Sequence, residues 1–461
     1  MSPGNSEFPA RVRRDLTAAQ HARIRRQLAL IPVYIWLVYS WTHLLVRIPS
    51  DEPVRDFVHF YVQGSIALDR DRASLYDIDR MADITQRVLP GGQRAMYPPV
   101  YGPQMSLLFM PFAHLSYIAA RDVWIVITLL VYAACSYAIW RVCPRLRDFP
   151  GTTALLLTAA PALHYVLGFV QVSALGLVCV TAGFLALRAN RPFLAGLALG
   201  SLAYKPPLAS GVAFVVVCAA FAPEMRPPAM PELARVVGGR RREWRILAGA
   251  IVAAAVQIAA GALYWGPSIL PAYFAALTRL PDVTTAMEPN KFHMHSWRAF
   301  FDLLGLPGAV AFAAYAGAAA VTAVGALIAW RARGPLALRY AALLIATVLV
   351  DPHLYAYDLL LLVPAFLILW DWVLGEPERR VGDLFPANPI VLRASVSSWL
   401  IPKSLQPHSF NTLFLWLVYL CYLSPLFVTL ADVAGIQLSA PLHGLLGVAI
   451  VGVLITDRDG A

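Results

Sequence analysis

The stretch LALIPVYIWLVYSWTHLLVRI, Leu28–Ile48, has no Asp, Glu, Lys or Arg until Arg47. Folded as a helix, a run of this length crosses a hydrocarbon core of about 30 Å. The reading repeats along the chain. Apolar segments follow at 102–118, 122–140, 152–169, 172–188, 193–205, 207–222, 246–266, 308–330, 336–350, 355–374, 412–431 and 440–455, and residues 389–401 read as a further short or interfacial helix. The runs are continuous and rich in Leu, Ala and Val rather than alternating, which excludes a β-barrel. The fold class is therefore an all-α polytopic membrane protein, with about eleven to thirteen transmembrane helices. Composition agrees. The 461 residues are 59% hydrophobic and 14% charged, where soluble domains carry about 25% charged residues. The mean hydropathy is +0.62.

The net charge of +10 sits largely in short loops between apolar segments. There it sets topology, and no nucleic-acid partner is expected. Residues 1–27 form a basic arm with Arg11, Arg13, Arg14, Arg23, Arg25 and Arg26. The apolar run after it is too long for a signal-peptide core and reads as a retained anchor. Residues 28–374 read as the membrane core and 375–461 as C-terminal membrane helices. Arg141, Arg145 and Arg147, the Arg-rich stretch 223–245, the Arg331–Arg339 turn and Arg379–Arg380 read as cytoplasmic. The N-terminus is then cytoplasmic too. Loop 49–101, the turns near Gln171 and Lys205, loop 267–297 and the turn 351–358 fall on the outer side. This assignment requires 102–118, bounded by Pro103 and Pro111, to be re-entrant rather than a full crossing. The phosphate-loop pattern G-x-x-x-x-G-K-[ST] is absent, which argues against ATP-driven transport by this chain alone. The five cysteines form no C-x-x-C pair and read as apolar packing residues.

Polar residues at the outer ends of spans are the candidates for chemistry, because they are costly in lipid. In RDFVHFYVQGSIALDRDRASLYD, Arg55–Asp77, a helix from about Asp56 to Leu68 places Asp56, His59 and Gln63 on one face. Phe57, Tyr61, Gly64 and Leu68 lie on the other, suited to the membrane or to other helices. Asp56 is either a solvated or capping residue, or a general base at a lipid–water boundary. In MYPPVYGPQ, Met96–Gln104, Tyr97 and Tyr101 flank paired prolines that force an extended entry. Lys205 in SLAYKPPLAS is either a snorkelling Lys or a fixed cation for a phosphate group. EPNKFHMHSWRAFFDLLGLP gathers Lys291, His293, His295 and Arg298, donors suited to phosphate or sugar. DPHLYAYDLLLLVPA sets His353, Tyr357 and Asp358 at the mouth of an apolar span. A buried Asp358 needs a partner, and Lys205, Arg298 or Tyr357 are the choices. Neither D-x-x-H nor H-x-H suffices for a metal site, and no cofactor or divalent metal is expected.

These motifs carry a resemblance. DFVHFYVQGSIALDRDRASLYD, MYPPVYGPQMSLLFMPFAHLS, RPFLAGLALGSLAYKPPLA, HSWRAFFDLLGLPG and DPHLYAYDLLLLVPA stand in the order found in GT-C-type membrane glycosyltransferases of family 87 (DUF2029), over roughly residues 50–370. That family includes polyprenol-phosphate-mannose-dependent α-mannosyltransferases. The resemblance implies a GT-C fold whose long first extracytoplasmic loop carries membrane-parallel helices. It also implies a polyprenyl-phosphate sugar donor, inverting transfer, and a site facing away from the cytoplasm of a bacterial inner or plasma membrane. The Asp after the first span is then the base, which is Asp56 here. A Gly-Gln pair is usual where this chain has Val170-Gln171. The sugar is expected to be mannose and the acceptor a glycolipid or glycan. The competing function is a lipid-linked sugar translocator or another secondary transporter, which predicts matching halves with broken helices; no such pair is evident.

Overall fold

Proline and short polar caps set the helix starts. Pro150, Pro161, Pro192 and Pro206 each stand at the first position of a helix, where the missing N–H removes no intrahelical bond. Ser116 accepts from the Ala119 N–H and Asp77 from the Arg80 N–H at two others. The computed structural model describes residues 7–47, 56–89, 91–98, 100–221, 240–279, 291–376 and 410–456. Residues 49–55, most of the stretch 223–245, Arg379–Arg380 and the expected helix at 389–401 lie outside the described residues.

In chain order the helices are α1 (Glu7–Arg47), α2 (Phe57–Asp69), α3 (Ile78–Val88), α4 (Gln104–Phe109), α5 (Tyr117–Arg141), α6 (Pro150–Thr158), α7 (Pro161–Phe169) and α8 (Ser173–Arg188). There follow α9 (Pro192–Gly200), α10 (Pro206–Phe221), α11 (Arg240–Trp265), α12 (Ile269–Thr278), α13 (Trp297–Leu303), α14 (Gly308–Arg331) and α15 (Leu336–Val350). The last are α16 (Val363–Gly375), α17 (Phe410–Leu423), α18 (Val428–Ala434) and α19 (Ser439–Thr456). Short 3-10 turns link several of them. Among the described residues, seven helical stretches are long and apolar enough to cross a membrane, and six shorter apolar helices accompany them. The chain is an integral membrane protein of the polytopic, all-helical class.

Segment 102–118 is not a crossing. It divides into the six-residue α4 and a 3-10 turn, Met110–His114, far short of the length a span needs. The apolar run 152–169 is one long stretch interrupted at Ala159–Ala160, where Pro161 starts α7. At the centre lie α15, the 3-10 segment Ala356–Leu362 and α16, whose side chains are nearly all buried. The Tyr340 hydroxyl donates to the Val180 carbonyl there, tying α15 to α8 at 2.5 Å. Asp371 accepts from the Arg145 and Leu146 backbone N–H groups and holds the loop after α5.

α2 resolves the two settings its sequence allowed for its apolar face, membrane or other helices. Phe57 and Tyr61, expected to face membrane or neighbouring helices, are buried against protein, as are His59 and Gln63 on the other face. Leu68 alone of the apolar face is exposed, at 38%. Phe57 sits among Phe109, Phe112, Tyr117 and Trp124. Gly64 lets α2 and α4 meet, because a Cβ there would strike the Phe109 carbonyl.

Candidate active site

Five chain segments, far apart in sequence, meet around a cavity of about 230 Å³. Asp56 stands at the start of α2 in helical geometry and makes no side-chain cap to it. Its Oδ2 instead accepts a hydrogen bond from Gln171 Nε2 at 2.7 Å. The capping reading of Asp56 therefore falls. Gln171 is held in turn. Its Oε1 accepts from the Val172 N–H and its carbonyl from Trp124 Nε1. Val170, just before it, ends α7 in the left-handed region with φ 53° and ψ 53°. The glycine expected here from the family pattern is absent, yet the glycine conformation is kept, at the strain a β-branched residue feels there.

Lys205 enters the cavity from the turn between α9 and α10. Its partner is Asp358, at 2.5 Å, with side chains 3% and 2% exposed. Of the three partners the sequence left open, Lys205 is the one found. Ser173 Oγ and the Tyr355 N–H complete the acceptor sites of Asp358. Lys205 Nζ also lies 5.6 Å from the centre of the Tyr357 ring. Burial opposes its charge, but Asp358 and Asp351 prevail and keep its pKa above the ordinary lysine value. Lys205 thus stays an ammonium in a dry site. Asp351, on the same turn, accepts from the His353 N–H at 2.8 Å. Burial pushes its pKa up to about 6, against the pull of Lys205.

Of the residues singled out in the sequence, Asp56, His59, Tyr97, Tyr101, Gln171, Lys205, His353 and Tyr357 line this cavity. Asp358 stands directly behind Lys205. His293 reaches its edge, its ring against Phe169, another lining residue. Gln63 lies one turn back, bonded to His59 at 3.2 Å. Burial lowers His59 to about 4, so it faces the cavity as a neutral imidazole. Tyr61 is turned away, its hydroxyl on the Leu115 carbonyl. His295 and Arg298, read as phosphate or sugar contacts, do not line the cavity. His295 is fully buried against Ser439, and burial takes its pKa down to about 3. Arg298 pairs with Asp302, which also holds Lys291. That segment nevertheless docks on the site, because the His295 N–H donates to the Leu354 carbonyl.

Sequence reasoning missed Tyr355, Phe169 and Ser173. Tyr355 stacks on Tyr357 at 5.3 Å and 5° to form one wall. Phe169 packs on Tyr357 from the side. The spacing of Tyr355 and Tyr357 was visible, but their stacking depends on the short 3-10 segment that begins at Ala356. Among the described residues no three His, Cys, Asp or Glu side chains converge as a metal site.

The cavity is a small polar pocket with a positioned carboxylate on one wall, a buried ammonium on another, and aromatic faces between. Such a set can take a proton, stabilise a departing anion and stack on a ring. No curated protein and no solved structure matches the chain. A family model described as Glycosyltransferase family 87 matches residues 100–352, a region that contains Gln171, Lys205 and Asp351. That match covers more than half of the chain and decides for an enzyme over a translocator: the protein is a membrane glycosyltransferase of family 87.

Proposed function

We propose that the enzyme transfers a sugar, mannose first among the choices, from a polyprenyl-phosphate donor to a hydroxyl of a glycolipid or glycan, with inversion at the anomeric carbon. The observation that carries this reading is the pairing of Asp56 with Gln171 at 2.7 Å on a cavity that Lys205 also lines. Asp56 takes the proton of the acceptor hydroxyl. The acceptor oxygen bonds to the anomeric carbon as the bond from that carbon to the phosphate oxygen breaks. The polyprenyl phosphate leaves with the electron pair. Gln171 fixes the carboxylate, so less reorganisation is needed as the proton moves. Lys205, kept charged by Asp358, attracts the developing phosphate charge, and His353 stands beside it. The stacked Tyr355 and Tyr357 offer faces for the sugar ring. The site works on the extracytoplasmic side of a bacterial inner or plasma membrane, with the N-terminus cytoplasmic, as the arginine distribution supports.

The test is transfer by the purified wild-type enzyme from a panel of polyprenyl-phosphate-linked sugars, with the product anomer read by NMR. Transfer with inversion is expected, best with mannose. A product of retained configuration, or use of nucleotide sugars alone, would overturn the reading.

A further inference from the structure

A second cavity, of about 780 Å³, lies between the first outer loop and α12. It is more than three times the size of the catalytic one. The smaller cavity is below the usual range for ligand sites, roughly 300–1,000 Å³, and has little room for an extended acceptor beside a donor sugar. The larger cavity lies within that range. The two are separated by a thin wall. Tyr76 lines the larger one, and its hydroxyl donates to the carbonyl of Tyr101, which lines the smaller. Tyr273 packs its ring, tilted, against Tyr76 and donates to the carbonyl of Val100 in that same wall.

The charges of the larger cavity are unequally matched. Its two acids are already paired: Asp77 with Arg80 at 3.4 Å, and Asp79 with Arg94 at 2.9 Å. Its two arginines are not. Among the described residues, Arg72 donates to the Ser268 hydroxyl, and neither Arg72 nor Arg279 has a carboxylate partner. Its floor is Ile269, Ala272 and Ala276 of α12. Two guanidinium groups with no carboxylate partner among the described residues, over an apolar floor and one wall from a catalytic carboxylate, suit an amphipathic molecule bearing an anionic group.

We infer that this cavity binds the acceptor, and that Arg72 and Arg279 select acceptors carrying a phosphate or carboxylate. The inference rests on the proposed transfer for the word acceptor, but the site can be tested by binding alone. The enzyme, in discs of phosphatidylcholine, is titrated calorimetrically with octyl glucuronide and with octyl glucoside, which differ by one carboxylate. The wild type and the Asp56→Asn variant should both bind the glucuronide about tenfold more tightly. Arg72→Gln with Arg279→Gln should remove that preference and leave glucoside binding unchanged, which also reports an intact fold. Arg72→Lys with Arg279→Lys should keep part of it. Competition by phosphatidylglycerol in the discs, but not by inorganic phosphate, would assign the anion to a lipid headgroup, and the reverse to a soluble group. Equal binding of the two glycosides by the wild type would overturn the inference, as would a preference that survives the double Gln substitution.

Discussion

Val170 holds a left-handed backbone at φ 53° immediately before the glutamine that touches Asp56. A side chain branched at Cβ is strained there by about 1–2 kcal/mol. Val170 is also buried in the core, at 2% exposure, so Val170→Gly relieves the strain but loses packing and frees the unfolded chain, and the thermal midpoint should fall. A rise would show that the strain outweighs the packing. Asp351 gives a pH effect. Burial raises its pKa from 3.8 to about 6, so the folded protein holds that proton more tightly than the unfolded chain. Stability should fall as pH rises from about 4 to about 6, and Asp351→Asn should flatten this slope in thermal melts. At this scale the sequence was informative where one residue type had one use. Asp56, Gln171 and Lys205 were visible as polar groups at span ends. The fate of Arg298 was visible too, had the acid four residues on been weighed, since Asp302 at that spacing is its partner.

The long helices were legible from hydropathy because lipid imposes length and backbone satisfaction together. Hydropathy alone did not separate segment 102–118 from a span, because a six-residue helix and a 3-10 turn share the composition of one; the arginine loops required it to be re-entrant. The prolines at 103 and 111 were the only local sign of the break. α2 was legible as a helix, and its packing against other helices is one of the two settings its sequence allowed. Its polar face is buried with one hydrogen bond between His59 and Gln63, and with the Tyr97 and Tyr101 rings against His59. The close contact of α2 with α4 follows from Gly64. Gly64→Ala should destabilise by about 1–3 kcal/mol, since backbone must yield to the new Cβ. It should also lower transfer, because α2 carries Asp56. A melt and a transfer assay on one preparation check both, and an unchanged midpoint would mean that α4 moves away freely.

The site exists only in the folded whole. Gln171 reaches Asp56 across 115 residues and Lys205 reaches Asp358 across 153. Such pairings leave no local pattern in a single sequence, which is why three partners for Asp358 stood open until the chain was folded. The Lys205–Asp358 pair also braces the molecule. Removing one partner strands a buried charge, at about 3–5 kcal/mol. Asp358→Asn should therefore lower the thermal midpoint markedly, more than Asp351→Asn does. The central claim is that the Asp56 carboxylate takes the acceptor proton, and it is tested most directly by purified Asp56→Asn beside the wild type, assayed for transfer from a polyprenyl-phosphate sugar. Asparagine can still meet Gln171 but cannot act as a base. Transfer should fall by about a hundredfold or more with the thermal midpoint little changed; undiminished transfer would contradict the account.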